Sequence, residues 1–183
     1  YFANETIDAS QIVKLQENVL RSHAAGHGEP LSIPETRLAM ALRLNVLTKG
    51  LTGVRYALCE ALLALIDAEI YPIIPEYGSV GASGDLPPLA HLALPLIGEG
   101  EVIYQGKRME AKQALKKAKL APFKPKAKEG LALVNGTQIM LAIGSLALAK
   151  ARILVNKADR FAALSMEGLV GHPEALYGPL HEA

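Results

Sequence analysis

The chain has one cysteine, no tryptophan and only 5% aromatic residues among its 183. A single thiol, Cys59, excludes an intramolecular disulfide framework and suits a reducing, cytoplasmic compartment. It stands in an apolar helical run, where a thiol packs as a small hydrophobe rather than serving as a nucleophile. Long hydrophobic runs are also lacking. The most apolar stretch, residues 139–149, is too short to cross a membrane and is followed by Lys150 and Arg152. Residues 1–20 lack the basic start and apolar block of a signal peptide. The sequence offers no internal repeat, and no metal site is assigned.

What remains is a soluble globular composition, half hydrophobic and one-fifth charged, with a net charge of +1. The length suffices for one domain with a real core. Alanine and leucine dominate, which favours helix. The chain starts at Tyr1 and stops at Ala183 just after a polar turn, and both ends read as those of a piece of something longer.

Helical spacing predicts a first helix over residues 8–24, carried by Ile12, Val13, Leu15, Val19 and Leu20. Ser22-His23-Ala24-Ala25-Gly26-His27-Gly28 then ends it in a loop. Ser32, Pro34 and Glu35 form a capping box with an N-terminal proline. They open a helix to about residue 49, with Leu38, Ala41, Leu42, Leu44 and Leu47 as its apolar positions. A nearly continuous apolar helix covers residues 54–69 and ends at Tyr71-Pro72. Another follows Pro88 and ends at Gly98, carrying His91, which reads as a packing residue. Residues 101–110 predict a two-stranded hairpin around Gln105-Gly106.

From Lys107 to Lys128, nine of the 19 basic residues face one acid, Glu110. Only Phe123 is available for base stacking there, so a solvated surface is the better reading than a nucleic-acid patch. The last element, residues 137–169, predicts one helix of roughly 50 Å. Its first half is apolar nearly all round, which implies burial among other helices. The fold class is therefore all-α, a helical bundle with long antiparallel helices and one small β-hairpin. Residues 1–183 form a single helical region.

The most unusual stretch is Gly78-Ser79-Val80-Gly81-Ala82-Ser83-Gly84-Asp85-Leu86. Glycines at every third position allow a tight loop, and Asp85 before Pro87 and Pro88 reads as a helix start. Four uses compete. A plain glycine turn is the simplest. A phosphate cradle at the helix N-terminus lacks either standard glycine spacing. A hydrolase nucleophile at Ser83, with His91 as base, lacks the second glycine of G-x-S-x-G. The fourth is backbone cyclisation. The Gly84 nitrogen attacks the Ala82 carbonyl, one water leaves as a five-membered imidazolone closes, and a second leaves from Ser83 to give an exocyclic methylidene. That chemistry needs an unhindered nitrogen at Gly84, a β-hydroxyl at Ser83 and a small residue at Ala82.

Residues 79–86, followed by Pro88-Leu89-Ala90-His91, resemble the signature of the aromatic amino acid lyases: the histidine, phenylalanine and tyrosine ammonia-lyases and the related aminomutases. Pro87 departs from the smaller residue usual in that family. A second stretch, Gly130-Leu131-Ala132-Leu133-Val134-Asn135-Gly136-Thr137, is similar to the family's second signature. Read alone it is a turn, with Asn135 or Thr137 capping the next helix. The run Ser22-His23-Ala24-Ala25-Gly26 resembles the histidine-specific branch, as does Gln138 after Asn-Gly-Thr; His27 departs from it and is given no role.

The resemblance implies that Ala82, Ser83 and Gly84 form 4-methylidene-imidazol-5-one (MIO), an electrophile that makes ammonia a leaving group, with no external cofactor. It implies that Asn135 holds this group and the substrate, that His23 contacts the substrate's imidazole, and that Asp85 and Gln138 support the MIO. The implied reaction is ammonia loss from an aromatic L-amino acid, L-histidine to urocanate. The implied assembly is a homotetramer, with no nucleic acid or membrane as partner. Full-length members are longer, so the catalytic base and the carboxylate anchor fall outside this chain, which alone is expected to be inactive. The alternatives are a phenylalanine or tyrosine lyase or aminomutase, and a non-catalytic helical scaffold whose loop never cyclises.

Overall fold

A computed structural model describes residues 11–81 and 83–182. Ala82, one of the three residues expected to cyclise, lies outside the described residues. The chain divides into two compact units, residues 1–143 and 144–183.

In the first unit, α1 (Ile12–His23), α2 (Ile33–Thr48), α3 (Tyr56–Asp67), α4 (Leu86–Ala93), α5 (Ala111–Lys117) and α6 (Glu129–Val134) surround one core, and α7 (Gln138–Gly168) begins. The all-α reading holds. Leu20, Met40, Leu47, Leu58, Leu62, Leu65, Leu89, Leu92 and Leu133 are buried in that core. The capping box is present: Glu35 N donates to Ser32 Oγ and Ser32 N to Glu35 Oε2 at 2.8 Å. The buried stripe of α2 is displaced from the expected one. Thr36, Ala39, Met40, Arg43 and Leu47 face inward, while Ala41 is exposed and Leu38, Leu42 and Leu44 are half-buried. Of the four leucines only Leu47 is buried, so a reading that follows the leucines misses the buried arginine.

The hairpin forms as β4 (Glu101–Tyr104) and β5 (Lys107–Glu110). Gln105 and Gly106 both have positive φ, 51° and 72°, as a tight hairpin turn requires. A third strand, β2 (Tyr71–Pro72), pairs with β4. A second pairing joins β1 (His27–Pro30) to β3 (Pro75–Tyr77). It ties the loop after α1 to the segment that leads into the glycine loop.

Two helices exceed the sequence reading. α5 buries Ala111, Ala114 and Leu115 and turns Lys112, Lys116 and Lys117 to solvent, as a solvated basic face does. Phe123, the one aromatic nearby, is half-buried with the Arg55 guanidinium 5.2 Å from its ring centre. α6 stands ahead of the Asn135-Gly136 turn, where the sequence gives no helix signal, and five of its six residues are buried.

In the second unit, the rest of α7 is followed by short 3-10 turns at Pro173–Leu176 and Gly178–His181. The expected burial of α7 is not found among the described residues. Only Gln138, Ile139 and Ala142 are buried, and Leu148, Ile153, Leu154, Val155, Phe161 and Leu164 are exposed. A helix of this character requires cover. By length and composition α7 also meets the requirement for a membrane span. Against that reading, Lys150, Arg152, Lys157, Asp159 and Arg160 interrupt its centre, where ionisable groups are costly in lipid.

Candidate active site

The glycine loop is held in a conformation that few sequences adopt. Gly81, Ser83 and Gly84 have φ of 71°, 60° and 94°. For Ser83, an L-residue with a side chain, the left-handed region costs roughly 1–2 kcal/mol. Ser79 Oγ donates to Asp85 Oδ1 at 3.1 Å, and Gly81 N donates to Ser79 Oγ at 3.4 Å. The two sides of the loop are thus drawn together. Ser83 itself is exposed, so its hydroxyl stands at the surface of the loop.

Gly84 meets the second signature directly. It forms a parallel bridge with Gly136, and Asp85 N donates to Gly136 O at 2.7 Å. A Cβ on Gly84 would collide with the Gly136 carbonyl. Glycine is required at 84 by contact as well as by φ. The unhindered nitrogen needed for cyclisation is therefore present, and residues 83–84 fit the group as far as the described backbone extends.

Asp85 does not cap the helix that it starts. Its side chain makes no capping bond to α4. Leu86, Pro87 and Pro88 are the first three residues of α4, so the second and third carry no N–H for the carboxylate to accept. Asp85 Oδ2 instead accepts from Met140 N in the first turn of α7, at 3.0 Å. It takes the capping role expected of Asn135 or Thr137, and does so from 55 residues away. Asp85 is 4% exposed.

The Asn135 side chain turns back on α6, its Nδ2 donating to Leu131 O at 2.9 Å. Its carbonyl faces inward and accepts from Arg43 Nη1 at 2.6 Å. The same Nη1 donates to Gln138 Oε1 at 2.9 Å. Burial lowers the Arg43 pKa to about 10, which leaves it charged at neutral pH. Arg43 escapes sequence reading because an arginine on a surface helix is ordinarily solvated.

α6 carries this turn and is fixed at its start. Glu129 is 1% exposed and takes a two-pronged bond from Arg55, Nε to Oε1 at 2.9 Å and Nη2 to Oε2 at 2.6 Å. The backbone N–H groups of Arg55 and Lys126 also donate to it. Burial works to raise the Glu129 pKa, but the Arg55 bond and the two backbone donors outweigh it and leave the pKa lowered. Next to it, Gly130 lets α1 approach: a Cβ there would stand 2.5 Å from Gln16 O, and Gly130 N donates to the buried Gln16 Oε1 at 3.0 Å.

The third stretch, around His23, adjoins the glycine loop through its backbone. A Cβ on Gly78 would stand 3.2 Å from Gly26 Cα and 3.1 Å from Pro87 Cβ. His23 Nδ1 lies 2.8 Å from Val19 O. A carbonyl only accepts, so Nδ1 bears a hydrogen, and in the neutral ring Nε2 presents a lone pair. His91 is not oriented as a base for Ser83, since its Nε2 accepts from Gly26 N at 3.1 Å and burial lowers its pKa. His27 pairs across the strands with Tyr77, ring centres 5.4 Å apart.

Of the site candidates, Gly84, Asp85, Asn135 and Gln138 are thus linked by hydrogen bonds and backbone contact, with Arg43 added to them and Ser83 adjoining Gly84 in the chain. His23 is brought near through Gly26 and Gly78.

The chain is 49% identical over 180 residues to histidine ammonia-lyase of Myxococcus xanthus, covering 98% of this chain and 35% of that protein. It is 50% identical over 181 residues to the enzyme of Geobacillus thermodenitrificans, covering 99% and 36%. Among solved structures it superposes on histidine ammonia-lyase from Trypanosoma cruzi with a TM-score of 0.93 and 40% identity, covering 99% of this chain and 36% of that one. The phenylalanine aminomutase of Pantoea agglomerans gives 0.91 at 32% identity, over 98% and 34%. The chain therefore spans about a third of the length of the curated relatives that it matches. A profile described as aromatic amino acid lyase matches residues 1–183, and the chain belongs to that family.

Proposed function

We propose that the protein carrying this chain is a carbon–nitrogen lyase that removes ammonia from an aromatic L-amino acid, namely L-histidine, releasing trans-urocanate. The observation that carries this reading is the clamp on the glycine loop. Gly84 lies against Gly136 with no room for a side chain, and Ser83 is held at positive φ. MIO built from Ala82, Ser83 and Gly84 supplies the electrophile that a standard side chain cannot, making the substrate's amine a leaving group.

The chain's own residues do the holding. Asp85 and Gln138 fix the two strands of backbone that meet at the group. Asn135, exposed at the turn, offers a neutral amide to the substrate and the group. His23 meets the substrate's imidazole with Nε2, whose lone pair accepts from the imidazole N–H. That complementarity favours histidine over an aromatic ring with no N–H to offer.

In this reading the exposed apolar surface of α7 is covered by further copies in a cytoplasmic homotetramer. The base and the carboxylate anchor come from other parts of the protein, so residues 1–183 alone are inactive. Support for histidine lies in Ser22, His23 and Gln138, and in the relatives. The test is product formation by the intact protein from L-histidine, L-phenylalanine and L-tyrosine in parallel. Histidine is consumed fastest, and His23→Ala lowers kcat/KM for histidine by about tenfold or more, the cost of one buried hydrogen bond to an ionisable partner. Faster turnover of phenylalanine or tyrosine, or a β-amino acid product, overturns the assignment.

A further inference from the structure

Arg43 is the one long cationic side chain placed in the core, at 2% exposure. Buried arginines are ordinarily matched by a carboxylate, yet both hydrogen bonds described for this one run to neutral oxygens, Asn135 O and Gln138 Oε1. Among the described residues, Nε finds no hydrogen-bond partner. Such an arrangement is costly for stability, because a buried cation without a counter-ion loses its hydration and regains little. Its geometry serves something more specific than packing. One nitrogen has two protons, and the two acceptors of Nη1 are the residue that follows α6 and the residue that starts α7. Both ends of the Asn135–Gln138 turn are pinned by a single atom.

Gly136 lies between the two sides of this junction. A Cβ on it would stand 2.6 Å from Arg43 Nη1, and its carbonyl points to the other side, where Asp85 N donates to it. Removing the guanidinium frees the Asn135 carbonyl to rotate, and the neighbouring Gly136 carbonyl rotates with the chain. We propose that Arg43 is a positioning residue, which sets the Asn135–Gly136 turn and through it holds the Gly84–Asp85 end of the loop in the geometry that cyclises. The second half of this inference rests on the MIO reading above; the first half does not.

The test compares the unsubstituted intact protein with Arg43→Met and Arg43→Lys. Methionine keeps much of the volume and removes the buried charge, so the melting temperature holds or rises. A lysine ammonium can still donate to both oxygens. Two readouts separate positioning from stability. The first is amide hydrogen exchange at Asp85 and Met140, whose N–H groups bond Gly136 O and Asp85 Oδ2. The second is the fraction of protein lacking two waters across residues 82–84. Arg43→Met speeds exchange at both amides by roughly tenfold or more, with the helical amides of α2 and α3 unchanged, and lowers the cyclised fraction. Arg43→Lys restores most of both. If Arg43→Met fails to fold, Arg43→Gln, whose amide ends short of the Nη1 position, replaces it, with exchange raised at those two amides ahead of the α2 and α3 amides.

Unchanged exchange and unchanged cyclisation in a folded Arg43→Met protein overturn the proposal, as does uniform exchange across the fold. Should the unsubstituted protein lack no water, the MIO reading fails by itself. The exchange data then still decide whether Arg43 sets the turn.

Discussion

Asp85 lies at the start of α4, yet its Oδ2 accepts from the backbone N–H of Met140 in α7, 3.0 Å away. The prolines that follow it explain the exchange of roles. Pro87 and Pro88 present no N–H where an N-cap carboxylate would look for one. The side chain is left to serve the glycine loop, through Ser79, and the long helix, through Met140.

Asp85→Ala therefore acts on two elements at once. It removes the cap of α7, worth about 1 kcal/mol, and the acceptor that closes the loop around Ser79. The expected outcome is a stability loss of about 1–2 kcal/mol in denaturant titration and a lower cyclised fraction by mass. Asp85→Asn keeps one acceptor oxygen and falls between. An Asp85→Ala protein with unchanged stability and loop chemistry contradicts the cross-capping role.

Much of this was legible in the sequence, and the exceptions have physical causes. The capping box of α2, the hairpin around Gln105-Gly106 and the extent of α7 follow from local signals, and the structure has them. α6 was not legible. Six residues give too short a period, and Gly130 inside them reads as a breaker until Gln16 O is seen filling the space that a Cβ would take. Asp85 reads as the cap of α4 but caps α7, because its partner is distant in sequence. Arg43 carried no signal at all. Its role depends on two acceptors more than 90 residues away.

The anchor of α6 makes a pH prediction. The Glu129 pKa is lowered by Arg55 and backbone donors against the opposing effect of burial. The folded state thus holds its proton less tightly than the unfolded chain does. The stabilisation is fully present above the ordinary value of 4.5 and is lost as the pH falls through the lowered folded value. Glu129→Gln removes this acid dependence. Arg55→Ala leaves the buried carboxylate without its cation; since Arg55 stays 38% exposed, the loss is roughly 2 kcal/mol, below that of a fully buried pair. Stability curves from pH 3 to pH 7 check both, and parallel curves for Glu129→Gln and the parent contradict the anchor.

His91 gives a second, separate window. Burial lowers its pKa below the ordinary 6.5, and its Nε2 lone pair holds Gly26 N–H. Protonation destroys that acceptor. This contribution is complete above the ordinary histidine value and is lost as the pH falls through the lowered one. The segment beside His23 loosens in the same range. His91→Gln, which accepts without titrating there, flattens the profile below the ordinary histidine value. Histidine chemical shifts followed by NMR check the direction; a His91 midpoint above the ordinary value contradicts it.

The central claim is that the loop of Ala82, Ser83 and Gly84 becomes an electrophile. Its most direct test is the intact mass of the purified protein, followed by the mass of the peptide spanning residues 79–86. The account predicts a deficit of two waters located in that peptide, abolished by Ser83→Ala, which has no hydroxyl to eliminate. A full sequence mass, with the peptide unaltered, contradicts it and leaves the chain a helical scaffold that carries the family's signature without its chemistry.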